Sequence, residues 1–221
     1  MKSFIVEKKY ILFPISMDAP CKMVTVCSEG EKIFEFDIPV ENGNSPYRFQ
    51  NYAPLNVEKW KGQEMTIEVE DALDFLEAVG FSDDRVNTVQ HKPQIHFSPE
   101  SGWINDPNGL IYANDRYHLF FQYNPFQNQW GNLCWGHAVS RDLLHWEQLD
   151  TVMFPDENGS MFSGCGIINE RGLLELPDSA LLFFYTMAGG KTKWSERKKF
   201  TQNLGGESAE EGKPASHRAY C

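Results

Sequence analysis

The sequence has no apolar run of roughly 18 residues, the length a membrane-crossing helix needs, so no membrane partner is expected. Its first residues, Met1-Lys2-Ser3-Phe4-Ile5-Val6-Glu7-Lys8-Lys9, bring in charge too early for a secretory leader. Positive charge is scarce. The 20 Lys and Arg face 31 Asp and Glu, a net charge of -11, which argues against a polyanion and so against a nucleic-acid partner. Cysteine is sparse too: the five at 21, 27, 134, 165 and 221 form no Cys-x-x-Cys pair and have no zinc-finger spacing to a histidine. His96, His118 and His145 share no metal spacing, and neither a metal nor any other cofactor is expected. The odd cysteine count leaves at least one thiol unpaired, with Cys134 and Cys165 expected as buried thiols in apolar strands. Gly190-Lys191-Thr192 lacks the first glycine of a phosphate loop, because Tyr185 stands at that position.

What the chain does have is 41% hydrophobic residues, 14% aromatics, 17 Gly and 12 Pro, the composition of a folded, turn-rich protein. Alternation of period two dominates the first 90 or so residues. Met23, Val24 and Val26 lead into a Ser28-Glu29-Gly30-Glu31 turn, after which Phe34, Phe36 and Ile38 face one way and Glu35 and Asp37 the other. Met65, Ile67 and Val69 alternate in a later strand, Leu73, Leu76 and Val79 suit a short helical turn, and Pro39, Pro46 and Pro54 confine their segment to loops or sheet edges. Tyr47, Tyr52 and Trp60 read as packing aromatics, with sugar contact as the alternative. Residues 1–90 are expected as a small antiparallel β-sandwich, with a polar linker around 85–93. Beyond it, Leu110–Ala113, a turn at Asn114-Asp115, Tyr117–Tyr123, Leu133–Ser140 and Leu144–Val152 make four antiparallel strands, one propeller blade; Gly166–Glu170 and Leu181–Thr186 begin the next. Residues 205–221, rich in Glu, Gly and small side chains, read as a disordered tail.

The densest chemistry lies in Trp103-Ile104-Asn105-Asp106-Pro107-Asn108-Gly109. Pro107 pushes Asp106 toward extended backbone, and Asn108-Gly109 favours a tight turn with positive φ, so Asp106 is expected at a strand end. In order after it come Phe120-Phe121-Gln122-Tyr123-Asn124-Pro125, Trp130-Gly131-Asn132, Trp135-Gly136-His137-Ala138-Val139-Ser140 and Phe162-Ser163-Gly164. This series resembles the N-terminal part of glycoside hydrolase family 32, the invertases, inulinases and levanases that cut β-fructofuranosides.

The resemblance implies an all-β chain: a levanase-like β-sandwich, then over 91–204 the first one to two blades of a five-bladed β-propeller, truncated. It implies a retaining hydrolase acting on fructans or sucrose, with Asp106 as the nucleophile. Asn105 and Gln122 are then expected to bind fructose hydroxyls, Trp130 to form a pocket wall, Phe162 and Ser163 to line the pocket, and Trp103 to shape its edge. Trp135, His137 and Trp146 are expected as blade-packing residues. Two family motifs are missing. Arg141-Asp142 is followed by Leu143 and not by the Pro of Arg-Asp-Pro, and no Glu-Cys pair, which carries the acid/base, occurs anywhere. An impaired enzyme is therefore expected, with a non-catalytic fructan-binding module as the alternative. Exported relatives imply a secreted or periplasmic parent protein, and nothing in the sequence specifies an oligomeric state.

Overall fold

The alternating patterns become strands almost throughout the computed structural model, which describes residues 1–41, 47–86, 93, 95–172, 176–177, 179–207 and 217–220. Among these residues the only α-helix is α1 (Leu73–Ala78), where the spacing of Leu73, Leu76 and Val79 suited a helical turn. No helix among them is long and apolar enough to cross a membrane. Pro46, most of the expected 85–93 linker and Cys221 lie outside the described residues.

The chain forms two compact units, and their division departs from chain order. The first takes Met1–Pro93, Ser98–Trp103 and Asn124–Asn132; the second takes Gln94–Phe97, Ile104–Tyr123 and Leu133–Cys221.

In the first unit, β1 (Lys2–Ile5), β3 (Cys21–Ser28), β4 (Glu31–Pro39) and β6 (Glu64–Val69) form a sheet ordered β1-β6-β3-β4, while β2 (Tyr10–Ile15), β5 (Asn51–Asn56) and β7 (Gly80–Ser82) form one ordered β5-β2-β7. Pro54 lies in β5 opposite Leu12, on an outer strand where its missing N–H breaks no ladder. The sheets meet through aromatic rings. Phe13 of β2 stands edge-on to Phe36 of β4 at 5.1 Å, and Phe126 stacks on Phe36 at 3.7 Å. Glu35, assigned to the solvent face by alternation, is buried instead, with Lys32 as its ion-pair partner. Tyr47 packs on Phe49 and Phe75, Tyr52 on Phe49, and Trp60 edge-on to Phe34.

Segment 124–132 is held to the outer strand β4 by side-chain amides. Asn132 Oδ1 accepts from the Asp37 N–H at 2.9 Å, and its Nδ2 donates to the Asp37 carbonyl at 2.7 Å and to Asn124 Oδ1 at 3.1 Å. Gln127 Nε2 donates to the same carbonyl at 2.9 Å. The Asn132 amide thus occupies both backbone groups of Asp37 at a sheet edge, as a further strand would.

The second unit consists of two antiparallel meanders. β8 (Trp103–Ala113), β9 (Arg116–Asn124), β10 (Cys134–Ser140) and β11 (Trp146–Gln148) lie in the order β11-β10-β9-β8, with the end residues Trp103 and Asn124 belonging to the first unit. β12 (Ser160–Ile168), β13 (Leu181–Ala188), β14 (Phe200–Glu207) and β15 (His217–Tyr220) lie in chain order. Neighbours in sequence are neighbours in space, the pattern of propeller blades. Ile111, Phe120 and Trp135 from the first meander pack against Met161, Leu181, Phe183, Tyr185 and Met187 from the second.

Several expectations need correction. No turn interrupts Asp106-Pro107-Asn108-Gly109: β8 runs straight through it, and neither Asn108 nor Gly109 has positive φ. β8 is an outer strand, the setting in which a sheet tolerates a proline. Gly109 is there for close approach, because a Cβ on it would lie 2.9 Å from the Gly166 backbone nitrogen. The true turn is Asn114-Asp115, as expected, with φ of 51 and 58. β11 is far shorter than the 144–152 strand read from sequence. Cys165 is exposed where burial was expected, on the outward phase of β12. The tail expected to be disordered from 205 begins with the end of β14, and His217–Tyr220 pairs with that strand, since backbone pairing needs no apolar side chains.

Candidate active site

Asp106 sits mid-strand in β8 with an exposed side chain. Its Oδ2 accepts a hydrogen bond of 2.6 Å from Ser163 Oγ, which fixes the carboxylate against β12 of the next sheet. Ser163 reaches it because β12 is irregular there. Met161 pairs with Met187 and Gly164 with Tyr185, so three steps along β12 match two along β13, a bulge of one residue.

A bulge frees backbone groups from the ladder, and side chains of the first meander take them up. Gln122 Nε2 donates to the Met161 carbonyl at 2.8 Å, and Trp135 Nε1 to the Phe162 carbonyl at 3.1 Å. The Gly164 N–H donates to Asn108 Oδ1 at 3.3 Å. Asn108 and Gln122 are 5% and 3% exposed. Asn108 Nδ2 and Gln122 Oε1 are buried and find no hydrogen-bond partner among the described residues.

Of the sequence-predicted residues, Asp106, Gln122, Phe162 and Ser163 are brought together around this bulge, with Phe162 half-buried. Asn105 precedes Asp106 in β8 and is exposed. Trp130 belongs to the first unit, where it is 58% exposed; Trp103 lies in that unit too, half-buried. Two residues of the arrangement were not read from sequence as parts of it. Asn108 had been given to a turn and Trp135 to packing alone, and nothing in composition marks a bulge before the β12–β13 register is known.

Other titratable groups of the second unit differ from Asp106 in setting. His137 is half-buried, stacks on Phe120 at 4.2 Å, and shares a 3.1 Å hydrogen bond with His118. Burial, then the neighbouring His118, brings its pKa down to about 3; burial likewise lowers that of His118, helped by Arg116. Both rings are neutral at ordinary pH and suit a structural role. Asp142 is exposed and held well below the usual carboxylate range by the His145 backbone and side chain. Among the described residues, no group of three or more His, Cys, Asp or Glu could hold a metal ion.

A carboxylate fixed by a hydroxyl, on an exposed strand beside a half-buried ring, can attack an electrophilic carbon or bind a polyol. The comparisons narrow this. A family model described as Glycosyl hydrolases family 32 N-terminal domain matches residues 96–216. The chain is 46% identical over 99 residues to a levanase of Bacillus subtilis (43% of this chain, 15% of that protein). It is 50% identical over 104 residues to an extracellular exo-inulinase of Aspergillus awamori (43% and 19%). A solved fructofuranosidase from Schwanniomyces occidentalis, complexed with fructose, is similar at 35% identity and a TM-score of 0.47, covering 53% of this chain and 24% of that one. The matched stretch thus spans under a fifth of those two curated relatives.

Proposed function

The chain belongs to glycoside hydrolase family 32 through that N-terminal domain, and from this premise we propose that it serves the hydrolysis of β-D-fructofuranosidic bonds in fructans or sucrose, with retention and with Asp106 as nucleophile. The observation that carries the reading is the exposed Asp106 carboxylate, oriented by Ser163 at 2.6 Å. One carboxylate oxygen attacks C2 of the fructosyl group, and the C2–O bond to the leaving group breaks as that oxygen takes a proton from an acid. Water then attacks C2, passes its proton to the same acid/base, and releases fructose and the free carboxylate.

Asn105 and Ser163 offer hydroxyl partners without adding charge beside the nucleophile. Gln122 gives one amide N–H to the Met161 carbonyl and keeps its Oε1 without a hydrogen-bond partner among the described residues. Phe162 presents a ring face to the C–H surface of a furanose, and the exposed indole of Trp130 suits the same kind of surface.

These 221 residues contain neither a Glu-Cys pair nor Arg-Asp-Pro, the family's segments for the acid/base and for the aspartate that holds the sugar hydroxyls. Without general acid catalysis the rate falls by about 10² to 10⁴. The chain on its own is thus expected to bind fructosyl groups and turn them over slowly. Fructose release from levan, inulin and sucrose by the purified chain, alongside calorimetric titration with short fructo-oligosaccharides, tests this. Binding with slow release that Asp106→Asn removes is expected. Neither binding nor release overturns the reading. The alternative reading, a non-catalytic fructan-binding module, is marked by binding with no release at all.

A further inference from the structure

We infer that Asn132 is a positioning residue: by clamping Asp37 it fixes the loop that presents Trp130, which makes the N-terminal sandwich the scaffold of a sugar-contacting ring. The inference rests on the reading that gives Trp130 to the sugar.

Residues 124–132 connect two strands of the second unit, yet they fold as part of the first. Each flank of Trp130 is pinned. On one side Phe126 is buried and stacks on Phe36 at 3.7 Å, and Gln127, 8% exposed, donates to the Asp37 carbonyl. Fully buried Asn124 holds the carbonyl of Gln129, the residue before Trp130, at 2.9 Å. On the other side Asn132 covers both the N–H and the carbonyl of Asp37, from a backbone of φ 43 that asparagine tolerates better than most residues.

Between these anchors only Asn128, Gln129 and Trp130 are exposed. The Trp130 indole leaves more than half of its surface open, 58% exposed. Held on a pinned loop, it meets a sugar without first having to be ordered, which is where pre-organisation raises affinity.

The test uses the full chain labelled with 5-fluorotryptophan and followed by fluorine NMR, with Trp130→Phe assigning the Trp130 line. Asn132→Gly removes the amide while keeping the left-handed backbone accessible, and Asn128→Gly is the exposed control. In Asn132→Gly the Trp130 line is expected to move toward the position of solvated tryptophan while the other tryptophan lines stay, and affinity for short fructo-oligosaccharides to fall on the order of tenfold. Should Asn132→Gly disturb every line, Gln127→Ala removes one bond to the same carbonyl and is read in its place. An unmoved Trp130 line overturns the inference, as does a moved line with unchanged affinity. A wild-type chain that binds no fructo-oligosaccharide, yet whose Trp130 line responds to Asn132→Gly, supports the scaffold and sinks the functional reading instead.

Discussion

In the first unit, the amide of Asn132 takes over the backbone groups of Asp37 at the outer strand β4 and is bonded through both its oxygen and its nitrogen. In the second unit, Asn108 and Gln122 do the same for the bulge in β12, but each leaves one buried amide atom unpaired. A satisfied amide is a fastening. An unsatisfied one costs roughly 1–3 kcal/mol and is the sort of expense found where a fold serves something besides its own stability. The units also differ in their rings. The core of the first is phenylalanine around Phe13 and Phe36, whereas the second adds Trp135, whose indole N–H is bonded, and a half-buried histidine, His137, stacked on Phe120.

The largest effects should come from truncating the two central rings. Phe36→Ala and Trp135→Ala are each expected to cost about 3–5 kcal/mol, read from urea unfolding. Trp135→Ala should cost more, because it also removes the hydrogen bond from the indole N–H to the Phe162 carbonyl. Equal losses would mean that the bulge gains nothing from that bond. Next comes acid. The folded-state pKa of His137 lies near 3 against an ordinary 6.5, so the unfolded chain takes up the proton first as pH falls. Its contribution is complete above about 6.5 and lost on the way down toward 3, at about 1.4 kcal/mol per pH unit. The described residues of the first unit contain no histidine. Amide exchange, corrected for intrinsic rates, should therefore lose protection in β9 and β10 between pH 7 and pH 5 while β3 and β4 hold theirs. Parallel loss in both units would refute the assignment to His137.

Elements whose signal is local were legible in the sequence. The β3–β4 hairpin, the alternation of β6, α1 and the Asn114-Asp115 turn lie where spacing put them. Elements decided by a distant partner were not. Pro107-Asn108-Gly109 has turn chemistry, yet the second sheet claims it: Gly109 lies against Gly166, and Asn108 bonds Gly164. Loop 124–132 reads as a connection within one sheet, and only the free edge of β4, set by the order of strands far earlier in the chain, draws it away. The glycine contact is testable by Gly109→Ala. Forcing a methyl to within 2.9 Å of the Gly166 nitrogen should cost about 1–3 kcal/mol and disturb the Ser163–Asp106 bond. A neutral outcome would return Gly109 to the turn role that its sequence suggests.

The smallest expected effect separates the units at their hairpin turns. Glu29-Gly30 joins β3 to β4 with φ of 49 and 83, and Asn114-Asp115 joins β8 to β9 with φ of 51 and 58. Both central residues are left-handed in each, the two-residue turn whose best sequence is Asn-Gly. Each hairpin holds one half of that pair: glycine second in the first unit, asparagine first in the second. Glu29→Asn replaces a residue that resists positive φ and leaves the unfolded chain about as free as before. Asp115→Gly relieves a milder strain, because aspartate already tolerates that region, and glycine adds freedom to the unfolded chain. Glu29→Asn should thus gain about 0.5–1 kcal/mol in urea unfolding and Asp115→Gly less than about 0.5. Should Asp115→Gly gain more, the β8–β9 turn is the more strained of the two, and the strand bearing Asp106 is held at a cost that the β3–β4 hairpin does not carry.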